Sequence, residues 1–158
     1  MQKIVTNLWF DDNAEEAVEF YCSLFEDSKV LAVQRYTEAG PGAPGTVMVV
    51  DFELNGQHFI AINGGSAMQY TYAMSLLVNC ANQDEVDRLW AALTADGGRE
   101  DQCGWLFDKH GVPWQIWPTE CTELLMSPDQ AAATRATKAM FGMKKISIEG
   151  MREAFRAA

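Results

Sequence analysis

A chain of 158 residues, 48% hydrophobic and 22% charged, has the length and balance of one well-buried globular domain, and no stretch approaches the roughly 18 apolar residues of a membrane-spanning helix. A net charge of −10 argues against nucleic acid and anionic membrane surfaces, whose phosphates repel it. The N-terminus reads directly into a strand, and the four cysteines (Cys22, Cys80, Cys103, Cys121) lack C-x-x-C spacing, so a cytoplasmic chain with reduced thiols is expected.

Residues 3–10 predict a strand and 14–26 a helix. Lys29 to Thr37, rich in β-branched and aromatic residues, predicts a second strand. Ala39 to Gly45 reads as a flexible turn-rich loop. Val47 to Leu54 is a third strand with Met48, Val50, Phe52 and Leu54 on one face and Asp51 and Glu53 on the other. Asn55-Gly56 is a two-residue hairpin turn, and His58 to Asn63 returns as a fourth strand. After Gly64-Gly65-Ser66 the order repeats: strand 72–79, helix 83–95, a turn at Gly97-Gly98, a strand near 99–107, a turn at Asp108 to Gly111, and a last strand from Pro113 to Trp117. The tail is helical. Ser127-Pro128-Asp129 marks a helix start, Ala131 to Met140 is a strong helix former, and a short helix covers 148–157.

The two halves repeat one pattern at a fixed distance. Asn13-x-x-Glu16 and Asn82-x-x-Glu85 lie 69 positions apart (82 − 13 = 69). Ala17, Phe20, Tyr21 and Leu24 correspond to Val86, Leu89, Trp90 and Leu93, each set one face of a helix. Each Asn is expected to accept a backbone N–H at its helix start while the Glu reaches back. The reading is a duplicated βαβββ module.

Leu8-Trp9-Phe10-Asp11-x-Asn13-Ala14-Glu15-Glu16-Ala17 with Phe20-Tyr21, and Cys103-Gly104-Trp105-x-x-Asp108-x-x-Gly111-x-x-Trp114-Gln115-Ile116-x-Pro118, carry a resemblance. The chain resembles the PhnB-like family of the vicinal-oxygen-chelate superfamily, a branch that bears the name 3-demethylubiquinone-9 3-methyltransferase. The superfamily also includes glyoxalase I, extradiol dioxygenases and antibiotic-resistance proteins. The resemblance implies an α+β fold. Two βαβββ modules form a curved-sheet cup of the glyoxalase/bleomycin-resistance type, with extra C-terminal helices. It also implies a single glyoxalase-like domain, with module one over about 1–64, module two over about 70–118 and a helical tail over about 119–158, and a homodimer.

In such proteins the cup commonly holds a divalent metal bound by His and Glu from the first and last strands. Here Lys3 to Phe10 has no His, Asp, Glu or Cys, and Thr71 to Asn79 offers no His or carboxylate. Gln115 stands where Glu is common. A neutral amide is a poor ligand for a dication, so no metal is expected; His58 and His110 read as a strand-edge residue and a turn residue. Asn63-Gly64-Gly65-Ser66 follows a strand, but no helix opens after it, so the usual nucleotide cradle for S-adenosylmethionine is not expected either. No catalytic residue is assigned.

Strand parity points Leu8 and Phe10 at the first helix and Asn7 and Trp9 into the cup. Gln115 and Trp117 share a face, with Trp105 and Cys103 on the neighbouring strand. These six are the candidate ligand-binding residues; ordinary core packing of the tryptophans is the competing reading. Cys103 reads either as a buried thiol or as a nucleophile needing Lys109 or His110 nearby, and Asp51 either as a surface residue or as a pocket acid. The leading expectation is metal-free binding of a small aromatic or cationic molecule. The alternatives are an enzyme (lyase, dioxygenase or methyltransferase) and a dimeric interaction module using the tail residues Met140, Phe141, Met143 and Met151.

Overall fold

The computed structural model describes residues 2–157. The chain divides into two compact units, one reaching to Gln69 and the other beginning at Tyr70. Together they are α+β: two four-stranded mixed sheets of the same topology, followed by helices.

The first unit contains β1 (Thr6–Phe10), α1 (Ala14–Leu24), β2 (Lys29–Arg35), β3 (Val47–Leu54) and β4 (Gln57–Asn63). The sheet order is β1-β4-β3-β2, with β1 and β4 parallel and the other pairs antiparallel. Leu8 and Phe10 are buried with Ala14, Ala17, Val18 and Tyr21 of α1, as alternation requires. Asn55 and Gly56 both take positive φ, +47° and +74°, as the hairpin demands.

Two local expectations for this unit are corrected, and the turn-rich loop gains a definite contact. The β2–β3 register shifts between Gln34 and Arg35, so Met48 falls between the pairs Gln34–Val49 and Arg35–Val47. A bulge reverses strand parity, and Val47 rather than Met48 joins Val50, Phe52 and Leu54 in the core. Next, Asn13 makes no side-chain cap. The buried Asn63 side chain, at the end of β4, accepts from Ala14 N at 2.8 Å and donates to Val47 O at 3.0 Å. Finally, the loop after β2 is a clasp. Tyr36 donates its hydroxyl to Asn63 O at 2.7 Å, and Cβ atoms at Gly40 and Gly42 would come within 2.7 and 2.3 Å of the Tyr36 ring. The glycines allow the backbone to wrap the ring that closely.

The second unit contains β5 (Leu76–Cys80), α2 (Gln83–Thr94), β6 (Arg99–Glu100), β7 (Trp105–Phe107), β8 (Pro113–Pro118), α3 (Thr119–Leu125), α4 (Gln130–Phe141) and α5 (Ile148–Arg156). Its sheet order, β5-β8-β7-β6, repeats the first, with β5 and β8 parallel. Val86, Leu89, Trp90 and Leu93 of α2 are buried, matching the expected face. Asn82 does cap this helix, accepting from Glu85 N at 2.9 Å, while Glu85 reaches back to Ala81 N at 2.7 Å.

Two strands are shorter than expected. The predicted strand 72–79 starts only at Leu76, because the residues before it leave the line of β5. The predicted strand near 99–107 is split into β6 and β7. Cys103 and Gly104 take positive φ, +57° and +81°, which no strand accommodates. Their amides donate to Met143 O (2.8 Å) and Lys144 O (2.7 Å) of the tail.

The closing motif has a structural account. Asp108 is buried, and its Oδ1 accepts from His110 N (2.8 Å) and Val112 N (3.0 Å) while Oδ2 accepts from Trp114 Nε1 (2.8 Å). Gly111 supplies the positive φ of +80° in the same turn. The tail encloses a second core of Cys121, Ala136, Ile146, Ile148 and Met151. Gln83 of α2 bonds Ile146 O and Ile148 N, and Arg152 grips Glu120 at 2.5 and 2.6 Å.

Candidate functional site

In the first unit, α1 covers one face of the sheet, and Asn7 and Trp9 point to the other. Register places Asn7, Ile60, Asp51 and Ala32 in one row across that face, and Trp9, Ile62, Val49 and Gln34 in the next. Asn7 is exposed and Trp9 half-buried. The Trp9 indole donates to Ser66 O at 2.8 Å. It lies over Gly64, where a Cβ would come within 1.8 Å of Trp9 Cζ2. Asp51, which sequence left open, is hydrogen-bonded to His58 Nε2. His58 lies near the start of an interior strand, opposite Glu53, which in turn pairs with Lys29 at 3.3 Å.

In the second unit Trp105 and Gln115 are direct cross-strand partners, and Leu77 flanks Gln115 on the far side. Phe107 shares the Trp105 face. The segment leading into β5 crosses over this face. Ser75 Oγ accepts from Gln115 Nε2 at 2.8 Å, and Tyr72 reaches past β8 to β7, its ring edge-on to Trp105 and Phe107 at 5.5 and 5.1 Å. The Tyr72 hydroxyl donates to Asp101, which Arg99 also contacts at 3.3 Å. The hydroxyl's hydrogen bond, foremost, holds the Asp101 carboxyl below its ordinary range. Sequence reasoning missed Tyr72, Ser75 and Asp101. Tyr72 and Ser75 lie in the irregular stretch before β5, and Asp101 in the break between β6 and β7, both inside spans whose composition predicts strand.

Cys103 and Trp117 face the tail. Cys103 Sγ lies 3.6 Å from Met140 O, and burial, with Asp101 nearby, pushes its thiol up. That works against a thiolate nucleophile. The Trp117 indole donates to Thr122 Oγ1 at 2.7 Å and packs on the tail core.

The residues do not fit the superfamily's metal. Among the described residues no three His, Cys, Asp or Glu side chains gather closely enough to hold an ion, and Gln115 is committed to Ser75. Nor does the Gly-rich turn present open amides, since Gly64 N donates to Phe10 O (2.9 Å) and Gly65 N to Asp11 O (3.0 Å).

Two βαβββ units, each with its first strand parallel to its last, are the hallmark of the glyoxalase fold. The fosfomycin resistance protein FosX from Listeria monocytogenes shares that fold alone, at 13% identity and a TM-score of 0.50 over 75% of this chain and 93% of that one. A family profile described as 3-demethylubiquinone-9 3-methyltransferase matches residues 2–117, and the chain belongs to this PhnB-like family. A PhnB protein from Bacillus cereus is 41% identical with a TM-score of 0.67, covering 75% of this chain and 100% of that one. Protein PA1353 from Pseudomonas aeruginosa is 20% identical with a TM-score of 0.61, over 75% and 98%. None of the curated proteins matches the chain. Among the described residues no helix is long and apolar enough to cross a membrane.

Proposed function

We propose that this chain binds a small aromatic molecule, neutral or cationic, without a metal ion. The observation that carries the reading is the β7–β8 face of the second unit. There an aromatic pair, Trp105 and Phe107, adjoins a small set of polar groups: Gln115, Ser75 and Asp101. Apolar walls with a few placed hydrogen-bonding groups are the usual make-up of a small-molecule site, and the carboxylate together with the net charge of −10 disfavours anions. Asn7 and Trp9 present a comparable aromatic-plus-amide pair on the first unit. Methyl transfer, which the family description names, finds no support in the Gly-rich turn, whose two glycine amides are already engaged.

Native mass spectrometry of untagged protein purified from its own host without chelator tests this. The expected result is a small organic mass increment on a dimer, reduced in Trp105→Ala and Gln115→Leu. A stoichiometric divalent metal would overturn the reading, as would an organic ligand retained fully by both variants.

A further inference from the structure

We propose that Tyr72 sits in a binding cradle for a hydroxyaryl ligand, a neutral ring bearing one phenolic O–H, and that such a ligand binds by taking its place. The inference rests on the reading that the β7–β8 face binds a small molecule, and it names the chemistry.

Tyr72 is exposed yet held at both its ring and its hydroxyl. Its ring lies edge-on to two others, with interplanar angles of 70° to Trp105 and 84° to Phe107. Such edge contacts are the favoured aromatic geometry. Its hydroxyl is aimed at Asp101. Arg99 completes the arrangement: its guanidinium carbon stands 4.3 Å from the centre of the Phe107 ring while its Nη1 reaches Asp101 Oδ2. The carboxylate is therefore fixed in place by a group other than Tyr72. If Tyr72 moves away, two aromatic surfaces and a positioned acceptor remain.

The side chain that fills this cradle is weakly anchored by its own segment. Tyr72 is 52% exposed, between Met68 at 60% and Met74 at 62%. Residues 64–75 contain neither helix nor strand. Segments with few buried contacts open at the low end of a protein's free-energy scale. A phenol reproduces every contact the tyrosine ring makes. An aryl ether of similar size cannot donate to Asp101, which then keeps only Arg99 and the Gln102 amide, and loss of the hydroxyl's hydrogen bond at a site built to receive it is what separates the two ligands.

Tyr72 is thus a built-in competitor, and the apparent affinity of an added phenol is lowered by the fraction of molecules in which the cradle is closed. The test uses the full chain and two probes, p-cresol and 4-methylanisole, followed by the indole N–H resonance of Trp105. Removing the competitor in Tyr72→Ala is expected to tighten p-cresol binding by about tenfold or more. In that variant 4-methylanisole should bind about tenfold or more weakly than p-cresol. Tyr72→Phe keeps the ring, loses the hydroxyl's hold and falls between the wild type and the alanine variant. It is the informative variant if Tyr72→Ala does not fold. Equal p-cresol affinity in wild type and both variants overturns the proposal, and so does equal affinity for the two probes. If Trp105→Ala abolishes the ligand seen by mass spectrometry while p-cresol gives either of those results, the hydroxyaryl assignment fails and the binding function stands.

Discussion

Asn63 shows how one side chain can hold a module together. Its amide satisfies the Ala14 N–H at the start of α1 and the Val47 carbonyl at the start of β3. Both bonds are buried, and a buried backbone group left unpaired costs on the order of 1–3 kcal/mol. Asn63→Leu should therefore destabilise the protein by about 2–4 kcal/mol in urea unfolding. Asn63→Asp keeps the acceptor for Ala14 N but sets a buried carboxylate oxygen against the Val47 carbonyl, so it should not restore the loss at neutral pH. Gly64 next to it is fixed by crowding: Gly64→Ala must drive the Trp9 indole off Ser66 O, with a stability loss of about 1–3 kcal/mol and a displaced Trp9 indole N–H resonance. The cysteines divide by burial. Desolvation first, then Glu85, pushes Cys80 up to about 12, and desolvation with Glu120 pushes Cys121 up to about 11. A raised thiol pKa means almost no thiolate at pH 8. In native protein both should stay unlabelled by a disulfide reagent, and all four should react once the chain is unfolded.

Among the elements, the outlines were largely readable, because helix faces and strand alternation are local. α2 was legible down to its four buried residues. The errors came where a distant group intervened. Asn13 has the same motif as Asn82, yet the α1 start is capped from β4, a contact no spacing rule contains. The split between β6 and β7 follows from hydrogen bonds that Cys103 and Gly104 make to a loop some forty residues downstream. Much of what marked the family turns out to be architecture. Leu8, Phe10, Ala14, Ala17 and Tyr21 are core, and Asp108 and Gly111 build a turn. That is why the fold was legible and the ligand was not. The site residues read from parity, Trp105 and Gln115, do share a face, whereas Tyr72 and Asp101 arrive from irregular backbone that carries no period. At this scale the tail has a pH signature. Hydrogen bonding from Arg152, chiefly, holds the Glu120 carboxyl below its ordinary range. A depressed carboxyl stabilises the fold fully above its unfolded pKa and loses that contribution as pH falls through the folded value. The pair is largely exposed, so the effect is small. The stability advantage of wild type over Glu120→Gln should be greatest at neutral pH and shrink in acid, as read from urea midpoints.

For the molecule as a whole, residues 2–117 match the family profile and residues 119–157 lie beyond it. That extension is part of the second unit. It covers the Cys103–Gly104 amides, receives the Trp117 indole and is tied to α2 by Gln83. Deleting everything after Pro118 should therefore raise hydrogen exchange across residues 99–117 while leaving the sheet of the first unit protected. Equal protection in both forms would show that the tail is dispensable.

The two copies differ at the last residue of their final strands. In the first unit Phe10 pairs with Asn63; in the second Cys80 pairs with Pro118. The strands lie 70 residues apart (76 − 6 = 70) but the helices 69 (83 − 14 = 69), so the second strand–helix link is one residue shorter. Asn82 caps α2 from within that link, which releases the strand end from the task. A proline there costs nothing, and Pro118 turns the chain directly into α3. The first unit thus ends its last strand on a side chain that ties helix and sheet together, whereas the second unit, relieved of that tie, runs straight on into its added helices.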